Sequence, residues 1–180
     1  LKWFKDQFCQ DLVKEAEETG ADVYDQINKD VAAVAPGSNR LLYLPYLMGE
    51  RTPHLDPDCR GVFFGLSAIH TRKHLLRAVM EGVAYSLCDC NEILKEMGIR
   101  VDCMKACGGG GKSPVWRQML ADLYNCFVER VVQDEGPALG AAILAGVACG
   151  IYESVEKACD QLITSRDSTD PKAEEVAVYE

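Results

Sequence analysis

Positive charge is scarce in this sequence of 180 residues, which has 19 lysines and arginines against 28 aspartates and glutamates and a net charge of −9. Proteins that bind nucleic acids need a basic surface that neutralises phosphates, and no stretch of this chain clusters lysine and arginine. The sequence therefore predicts no nucleic-acid partner.

Hydrophobic runs long enough to cross a membrane are also missing. The longest apolar stretch covers residues 138–148, whereas a membrane-spanning helix needs about 20 residues. Residues 1–20 carry charges throughout, unlike a secretory leader. We therefore expect no membrane partner and a cytoplasmic protein. The chain starts at Leu1 inside a helical pattern, which indicates a piece of a longer polypeptide whose own N-terminus could carry a targeting signal.

Zinc-type Cys-x-x-Cys pairs do not occur among the nine cysteines, since Cys88 and Cys90 are two positions apart and Cys103 and Cys107 are four apart. An odd number of cysteines also argues against a secreted disulfide framework. The sequence predicts free thiols in a reducing compartment. No metal site is expected either, because ligand spacing is missing among the three histidines, which are His54, His70 and His74.

Segments with helical periodicity alternate with short apolar runs typical of strands, and this alternation predicts one α/β domain. Helices are expected over residues 1–18, 22–34, 71–98, from 113 onward, 137–149 and 155–163, and strands over residues 41–47, 61–66, 101–107 and 127–132. In the longest helix the predicted core positions are Leu75, Val79, Val83, Leu87, Cys90 and Leu94. The acidic residues Glu174 and Glu175 are interpreted as part of a solvated tail.

A run of four glycines, residues 108–111, lies between a predicted strand and a predicted helix with Ser113 as its N-cap. Glycine allows a ligand to lie against bare main chain, and a helix N-terminus favours an anion. The pattern predicts a nucleotide site, with phosphates or ribose over the glycines and adenine alongside. The alternative is a tight left-handed turn that binds nothing. Lys112 either pairs with a phosphate or is solvated.

The glycine run matches neither common phosphate-binding motif. A Walker A loop needs an earlier glycine that this chain does not have, and only residues 111–113 match the end of that pattern. A dinucleotide-binding fingerprint is not supported either, because the position in the chain and the Ser-Pro helix start do not fit one.

The segment Gly49–His54 is rich in polar residues although it follows a predicted buried strand. Arg51 could bind a carboxylate, and His54 with Asp56 could form a general base with its orienting acid. The favoured interpretation is a structural loop in which Glu50 and Arg51 satisfy local partners. No serine or cysteine nucleophile with a histidine partner stands out in the sequence.

Three segments together resemble the C-terminal domain of the FGGY family of carbohydrate kinases. The first, residues 44–54, reads LPYLMGERTPH, and the second, residues 61–82, reads GVFFGLSAIHTRKHLLRAVMEG. The third, residues 108–142, contains GGGGKS, WRQMLAD and EGPALGAA. The resemblance covers residues 41–151 almost continuously, and it implies that residues 1–180 form the C-terminal, nucleotide-binding half of a kinase whose N-terminal domain is not in this chain.

The resemblance implies a ribonuclease H-like, actin-like ATPase domain of α/β class, in which helices flank a mixed central sheet. It implies transfer of the γ-phosphoryl group of ATP to a sugar hydroxyl, with Mg²⁺ bridging the phosphates. The GERTPH sequence is most similar to the xylulokinase branch, so the implied reaction converts D-xylulose into D-xylulose 5-phosphate. Gluconate, glycerol and ribulose remain alternative acceptors within the family.

Nucleotide-binding positions are also implied, because the family places phosphates and ribose along the glycines and the adenine edge near the serine. The implied residues are Gly108, Gly109, Gly110, Gly111 and Ser113. Trp116, on the same helix as the cap, is interpreted as a core residue. The aspartate that acts as catalytic base and most contacts to the pentulose come from the N-terminal domain in this family. No catalytic residue is therefore assigned, since Asp56 and Asp122 do not match that position, and the chain alone is expected to be inactive.

Two further interpretations remain open for the chain itself. It could be a stand-alone nucleotide-binding or regulatory module, or a structural domain whose glycine run has lost its ligand. An exposed inter-domain face would also favour self-association, so a homodimer is one expected state.

Overall fold

The computed structural model describes residues 1–132 and 136–180 of the chain. Its helices are α1 (Lys2–Phe8), α2 (Gln10–Thr19), α3 (Val23–Ala32), α4 (Arg72–Glu96), α5 (Gly108–Lys112), α6 (Pro114–Tyr124), α7 (Gly136–Ala148), α8 (Val155–Leu162) and α9 (Ala173–Tyr179). Its strands are β1 (Leu42–Leu44), β2 (Val62–Phe64), β3 (Cys103–Ala106), β4 (Phe127–Val131) and β5 (Ser165–Thr169). No helix within these residues is both long and apolar enough to span a membrane.

The described strands form two sheets, and the larger one is mixed, as expected. Its order is β3-β4-β5, with β3 parallel to β4 and β4 antiparallel to β5. Parallel neighbours require a crossover, and α5 and α6 provide it between β3 and β4. The smaller sheet is the antiparallel pair β1 and β2.

The β1–β2 pair lies on the long helix α4 because a glycine lets the two backbones approach. A side chain at Gly82 would place its Cβ only 2.1 Å from the carbonyl oxygen of Tyr43. Tyr43 is therefore buried, and Leu76 and Met80 of α4 lie fully inside the same core. Phe4 of α1 packs against this core as well.

A buried carboxylate on α4 connects three parts of the chain. Glu81 accepts hydrogen bonds from the backbone N–H of Gly37 (2.9 Å), the hydroxyl of Ser38 (3.0 Å), Nε of Arg77 (2.7 Å) and the hydroxyl of Tyr179 (2.9 Å). Burial raises the pKa of Tyr179, so its phenol stays protonated and can donate. The carboxylate thus links the turn before β1, helix α4 and the C-terminal helix α9.

The turn held by this carboxylate has an uncommon backbone. Gly37 and the next three residues, 38–40, all have positive φ values of 79°, 46°, 53° and 66°. This left-handed conformation costs roughly 1–2 kcal/mol for each L-residue that has a side chain. The hydrogen bonds from Gly37 and Ser38 to Glu81 offset part of this cost, and they aim the chain into β1.

The N-terminal segment differs from the single helix expected over residues 1–18. Non-helical backbone angles at Cys9 (φ −130°, ψ 35°) divide it into α1 and α2. The break allows Phe4, Cys9 and Leu12 all to join the core, whereas Phe8 is half exposed. Cys9, the residue at the break, is itself fully buried, and the change of chain direction there is the difference from the expected single helix.

The C-terminal acidic pair lies in a helix and not in a tail, so that expectation is wrong in part, although Glu174 is exposed to solvent as expected. Glu174 and Glu175 lie in the first turn of α9, whose Val176 is buried. The carboxylate of Asp122 on α6 accepts the backbone N–H of Lys172 (2.7 Å) and fixes the start of α9. Residues 164–180, which carried no recognisable pattern, thus supply both β5 and α9.

The predicted core positions of α4 are correct only in part. Residues 76–82 are buried on every side of the helix, because β1, α3 and α6 pack around these turns and Tyr179 of α9 bonds to Arg77 and Glu81. The C-terminal half extends beyond those neighbours, so Leu87 and Leu94 are exposed. The helix ends at Glu96, and Gly98 follows in the left-handed conformation that favours glycine.

We predict that Tyr179→Phe lowers the free energy of unfolding by about 1–2 kcal/mol, because the buried side chains of Glu81 and Arg77 each lose one hydrogen bond. Urea unfolding measures the change. Tyr24→Phe, at an exposed tyrosine, is the matched control and should change stability little. Equal stability of both variants would contradict the role assigned to the Tyr179 hydroxyl.

Candidate functional site

A groove of about 300 Å³ lies between α3 and the glycine run. One wall comes from the start of α3, the other from α5 and the start of α6, and Leu1 closes one side. Its lining residues are Leu1, Asp22, Tyr24, Asp25, Asn28, Gly109, Gly110, Lys112, Ser113 and Trp116. Of the five residues expected to bind nucleotide, Gly109, Gly110 and Ser113 are therefore brought together here.

The glycine run is not an extended loop or a left-handed turn, as the sequence suggested, but the one-turn helix α5. Only Gly108, where the chain leaves β3, has a positive φ (65°). Gly111 is buried, and a Cβ there would come within 2.7 Å of the carbonyl oxygen of Ala106. Gly108 and Gly111 thus shape the run, while Gly109 and Gly110 face the groove.

The buried guanidinium of Arg117 holds this short helix in place. Its Nη1 donates to the carbonyl oxygen of Gly111 (2.6 Å), and its Nη2 lies 3.6 Å from the carboxylate of Asp167 on β5. An arginine on α6 therefore ties the glycine run to the far strand of the mixed sheet. Arg117 could not be predicted from the sequence as a buried residue, because nothing in its spacing distinguishes it from a surface arginine.

Ser113 is the N-cap of α6, as predicted, since its hydroxyl oxygen accepts the backbone N–H of Trp116 (3.2 Å). The same hydroxyl donates to Oδ1 of Asn28 on α3 (2.8 Å). This second hydrogen bond joins the two walls of the groove. Asn28 was not predicted from the sequence, and its spacing from the glycine run of about 80 residues offered no local signal.

Trp116 was expected in the core, and that interpretation is wrong in part. The side chain is only partly buried, lines the groove and lies beside Gly110, where an added Cβ would be 3.5 Å from the indole. Within the described residues its indole N–H is buried without a hydrogen-bond partner. The indole thus forms a flat apolar base beneath Gly110, a surface suited to an aromatic ring.

The two walls of the groove differ in charge. Asp22 and Asp25 stand on the α3 wall, and Asp22 also caps α3 by accepting the backbone N–H of Tyr24 (2.9 Å). Lys112 stands on the glycine wall. A ligand with one anionic end and one polar, uncharged end is therefore oriented with its negative charge toward the glycines.

The segment Gly49–His54 forms a structural loop, which is the interpretation that the sequence favoured. Oε1 of Glu50 accepts the backbone N–H groups of Arg51 (2.7 Å) and Thr52 (3.0 Å). His54 does not pair with Asp56. Its Nε2 lies 3.1 Å from the hydroxyl of Tyr46 and 3.4 Å from the carboxylate of Asp89 on α4. The proposed His54–Asp56 base is therefore not formed.

The two aspartates considered as acids have structural partners instead. Oδ1 of Asp56 accepts the backbone N–H groups of Asp58 (2.8 Å) and Cys59 (3.2 Å) and closes a turn of the loop. Asp122 is buried and holds Gln118 and the start of α9. Neither carboxylate lines the groove.

Cys107 lies outside the groove, although it directly precedes the glycine run. It borders a second, apolar cavity of about 390 Å³ between β3, α7 and α8. Glu135, the first residue of the EGPALGAA stretch, falls outside the described residues. Among residues 1–132 and 136–180 no three histidine, cysteine, aspartate or glutamate side chains are grouped to hold a metal ion.

Similarity to known proteins identifies the family of this chain. Residues 1–149 match the family model described as the C-terminal domain of the FGGY family of carbohydrate kinases. A xylulose kinase of Bacillus subtilis is 40% identical over 179 residues, which are 99% of this chain and 34% of that protein. A gluconokinase of the same organism is 40% identical over 163 residues, 90% of this chain and 32% of that protein.

Solved structures agree with this result. The chain superposes on a ligand-bound xylulose kinase from Lactobacillus acidophilus with a TM-score of 0.77 and 28% identity, over 93% of this chain and 34% of that one. The expected α/β, actin-like ATPase fold is thereby confirmed. The chain spans about a third of the length of the relatives that it matches. It belongs to the FGGY family of carbohydrate kinases, and its residues 1–149 match the C-terminal domain of that family.

Proposed function

We propose that this chain is the nucleotide-binding part of an ATP-dependent sugar kinase and that ATP and ADP bind in the groove between α3 and the glycine run. The observation that carries the proposal is the hydrogen bond from Ser113 to Asn28, which joins both walls of the groove beside Gly110. A cleft with a flat indole, bare main chain and a few polar groups fits a nucleotide.

Charge sets the orientation of the nucleotide in this proposal. Phosphates lie over Gly109 and Gly110 next to Lys112, where first-turn N–H groups of a helix point outward and glycine leaves room. The nucleoside lies toward α3, where Asp22 and Asp25 can accept hydrogen bonds from ribose hydroxyls or the adenine amino group. The reverse orientation would place phosphates against two carboxylates.

Mg²⁺ in this proposal belongs to the nucleotide. It is a hard cation that proteins usually bind together with substrate phosphates, through one or two carboxylates and water. The chain's own contribution is to bind and orient the nucleotide. The group that removes the proton from the sugar hydroxyl is not assigned to any residue of this chain, because Asp56 and Asp122 serve local structure.

The proposed acceptor is D-xylulose, and the larger part of its site is proposed to lie in a preceding domain of a longer polypeptide. The xylulose kinase of Bacillus subtilis matches this chain over nearly its whole length. Gluconate is a second candidate, because the gluconokinase of that organism has the same identity of 40%. A coupled assay of the longer polypeptide with both sugars decides between them. A cytoplasmic location stays a prediction.

We predict that Gly110→Val lowers the affinity for Mg·ADP at least about tenfold, because the added branches fill the space between Trp116 and the phosphates. Isothermal titration calorimetry measures the loss. Gly140→Val is the control, since Gly140 is exposed on α7 with no atom near its missing Cβ. Wild-type affinity in the Gly110 variant would contradict the proposed site.

Ser113→Ala should lower both the free energy of unfolding, by about 1–2 kcal/mol, and the affinity for Mg·ADP. The variant loses the cap of α6 and the bond to Asn28 at once. Ser154→Ala removes the equivalent cap of α8, far from the groove in sequence, and should cost stability alone. If both variants keep full affinity, the bond between the walls does not shape the site.

Lys112→Ala should weaken binding of ADP by about threefold to tenfold while binding of adenosine stays unchanged, because the phosphates of ADP attract the ammonium group and adenosine has no such charge. Lys29→Ala, at an exposed lysine of α3, should affect neither ligand. An equal loss for ADP and adenosine would show that Lys112 supports the groove rather than the phosphates. The test is a calorimetric titration of each variant with both ligands.

A further inference from the structure

The side-chain amide of Asn28 is held in one orientation by the opposite wall of the groove. Oγ of Ser113 accepts the backbone N–H of Trp116 (3.2 Å) and uses its only proton to donate to Oδ1 of Asn28 (2.8 Å). Ser113 is only 7% exposed, so water hardly competes for that proton. A reversed amide would leave the hydroxyl proton without its acceptor. Oδ1 therefore stays on the serine, and Nδ2 is the donor next to it.

This Nδ2 group has no hydrogen-bond partner within residues 1–132 and 136–180. Asn28 is half-buried and lines the groove. A half-buried donor beside a cleft is stabilised by a ligand that accepts a hydrogen bond from it. Oδ1 also keeps a second lone pair, so the amide offers one donor and one acceptor side by side.

The polar groups of the α3 wall differ in what they can bind. The carboxylates of Asp22 and Asp25 only accept hydrogen bonds, which suits the two hydroxyl groups of a ribose. The amide of Asn28 both accepts and donates. This pair matches the Watson–Crick edge of adenine, where the 6-amino group donates and the neighbouring ring nitrogen N1 accepts. The amide thus fits the base, and the carboxylates fit the sugar.

We propose that Asn28 selects adenine over purines with a 6-oxo group, a role that rests on the proposed nucleotide site. Oδ1 accepts from the 6-amino group, and Nδ2 donates to N1. The base lies on the apolar indole of Trp116, since nucleobases stack readily on aromatic side chains. The phosphates stay over the glycines, away from the carboxylates of α3.

Hypoxanthine, the base of inosine, is the informative comparison because its shape is nearly that of adenine. It has an oxygen in place of the 6-amino group and a proton on N1. Oδ1 of Asn28 would then face a second acceptor, and Nδ2 would face a second donor. The amide cannot rotate to correct this mismatch without losing the bond to Ser113. A fixed amide therefore rejects hypoxanthine, whereas a freely rotating one accepts both bases.

Isothermal titration calorimetry of the chain with Mg·ADP and with the inosine nucleotide Mg·IDP tests the proposal. The wild type should bind ADP at least about tenfold more tightly than IDP, which is the discrimination that a bidentate pair with a base provides. Asn28→Asp keeps the acceptor for Ser113 and replaces the donor by a second acceptor. Its ratio of the two affinities should fall to about threefold or less, because the carboxylate accepts the N1–H of hypoxanthine. Ser113→Ala, which frees the amide to rotate, should lower the same ratio.

Gln26→Glu is the matched control, because it adds the same charge to α3 at a residue that does not line the groove. Added charge repels both diphosphates alike, so the ratio of affinities should stay at the wild-type value. Circular dichroism shows whether each variant is folded.

Two kinds of failure are distinguishable in this experiment. Equal affinities of the wild type for ADP and IDP, or an unchanged ratio in Asn28→Asp, overturn the role of Asn28 and leave the nucleotide site intact. Binding of neither nucleotide to the wild type overturns the proposed site and the role of Asn28 together.

Discussion

The buried carboxylate of Glu81 is the interaction on which most of the fold depends. A charge removed from water is tolerated only when it is paired and hydrogen-bonded, and Glu81 has Arg77 as its ion-pair partner and three further donors. Removing one member of such a buried pair typically costs about 3–5 kcal/mol, since the other charge is left alone. The four donors come from three different parts of the chain, so one group fixes their relative positions.

The same network reaches the groove through Arg77. Its Nη1 donates to the carbonyl oxygen of Val34 (2.7 Å), just beyond the end of α3, and so joins α4 to the helix that forms the acidic wall. The opposite wall depends on Arg117, which holds the carbonyl oxygen of Gly111. Each wall of the groove is thus positioned by a buried arginine, and Ser113 closes the distance between them.

Local features of the fold could be predicted from the sequence because they depend on local physics. The Ser113 cap, the left-handed Gly98 and the alternation of strands with helices follow from residue types at short spacing. The break at Cys9 and the helix α9 could not be predicted in this way. Both depend on packing against distant elements, which spacing along the chain does not encode.

In the candidate site, too, the features that depend on local sequence could be predicted and those that depend on distant residues could not. Three of the five expected residues line the groove, because a glycine run before a capped helix is a local pattern. The α3 wall, with Asn28 and Asp25, was missed since it lies about 80 residues earlier in the sequence. The helical conformation of the glycines was missed as well, because the close approach of Gly111 to Ala106 is visible only in three dimensions.

In the proposed function, this chain by itself forms a nucleotide site between α3 and the glycine run. Amide chemical-shift mapping by NMR during titration with Mg·ADP tests it most directly, and the two tryptophans give separate indole signals. We predict that the largest shifts occur at Gly109, Gly110, the side chain of Asn28 and the indole of Trp116. Shifts that cluster around α7 and α8, or no shifts at saturating nucleotide, would contradict it.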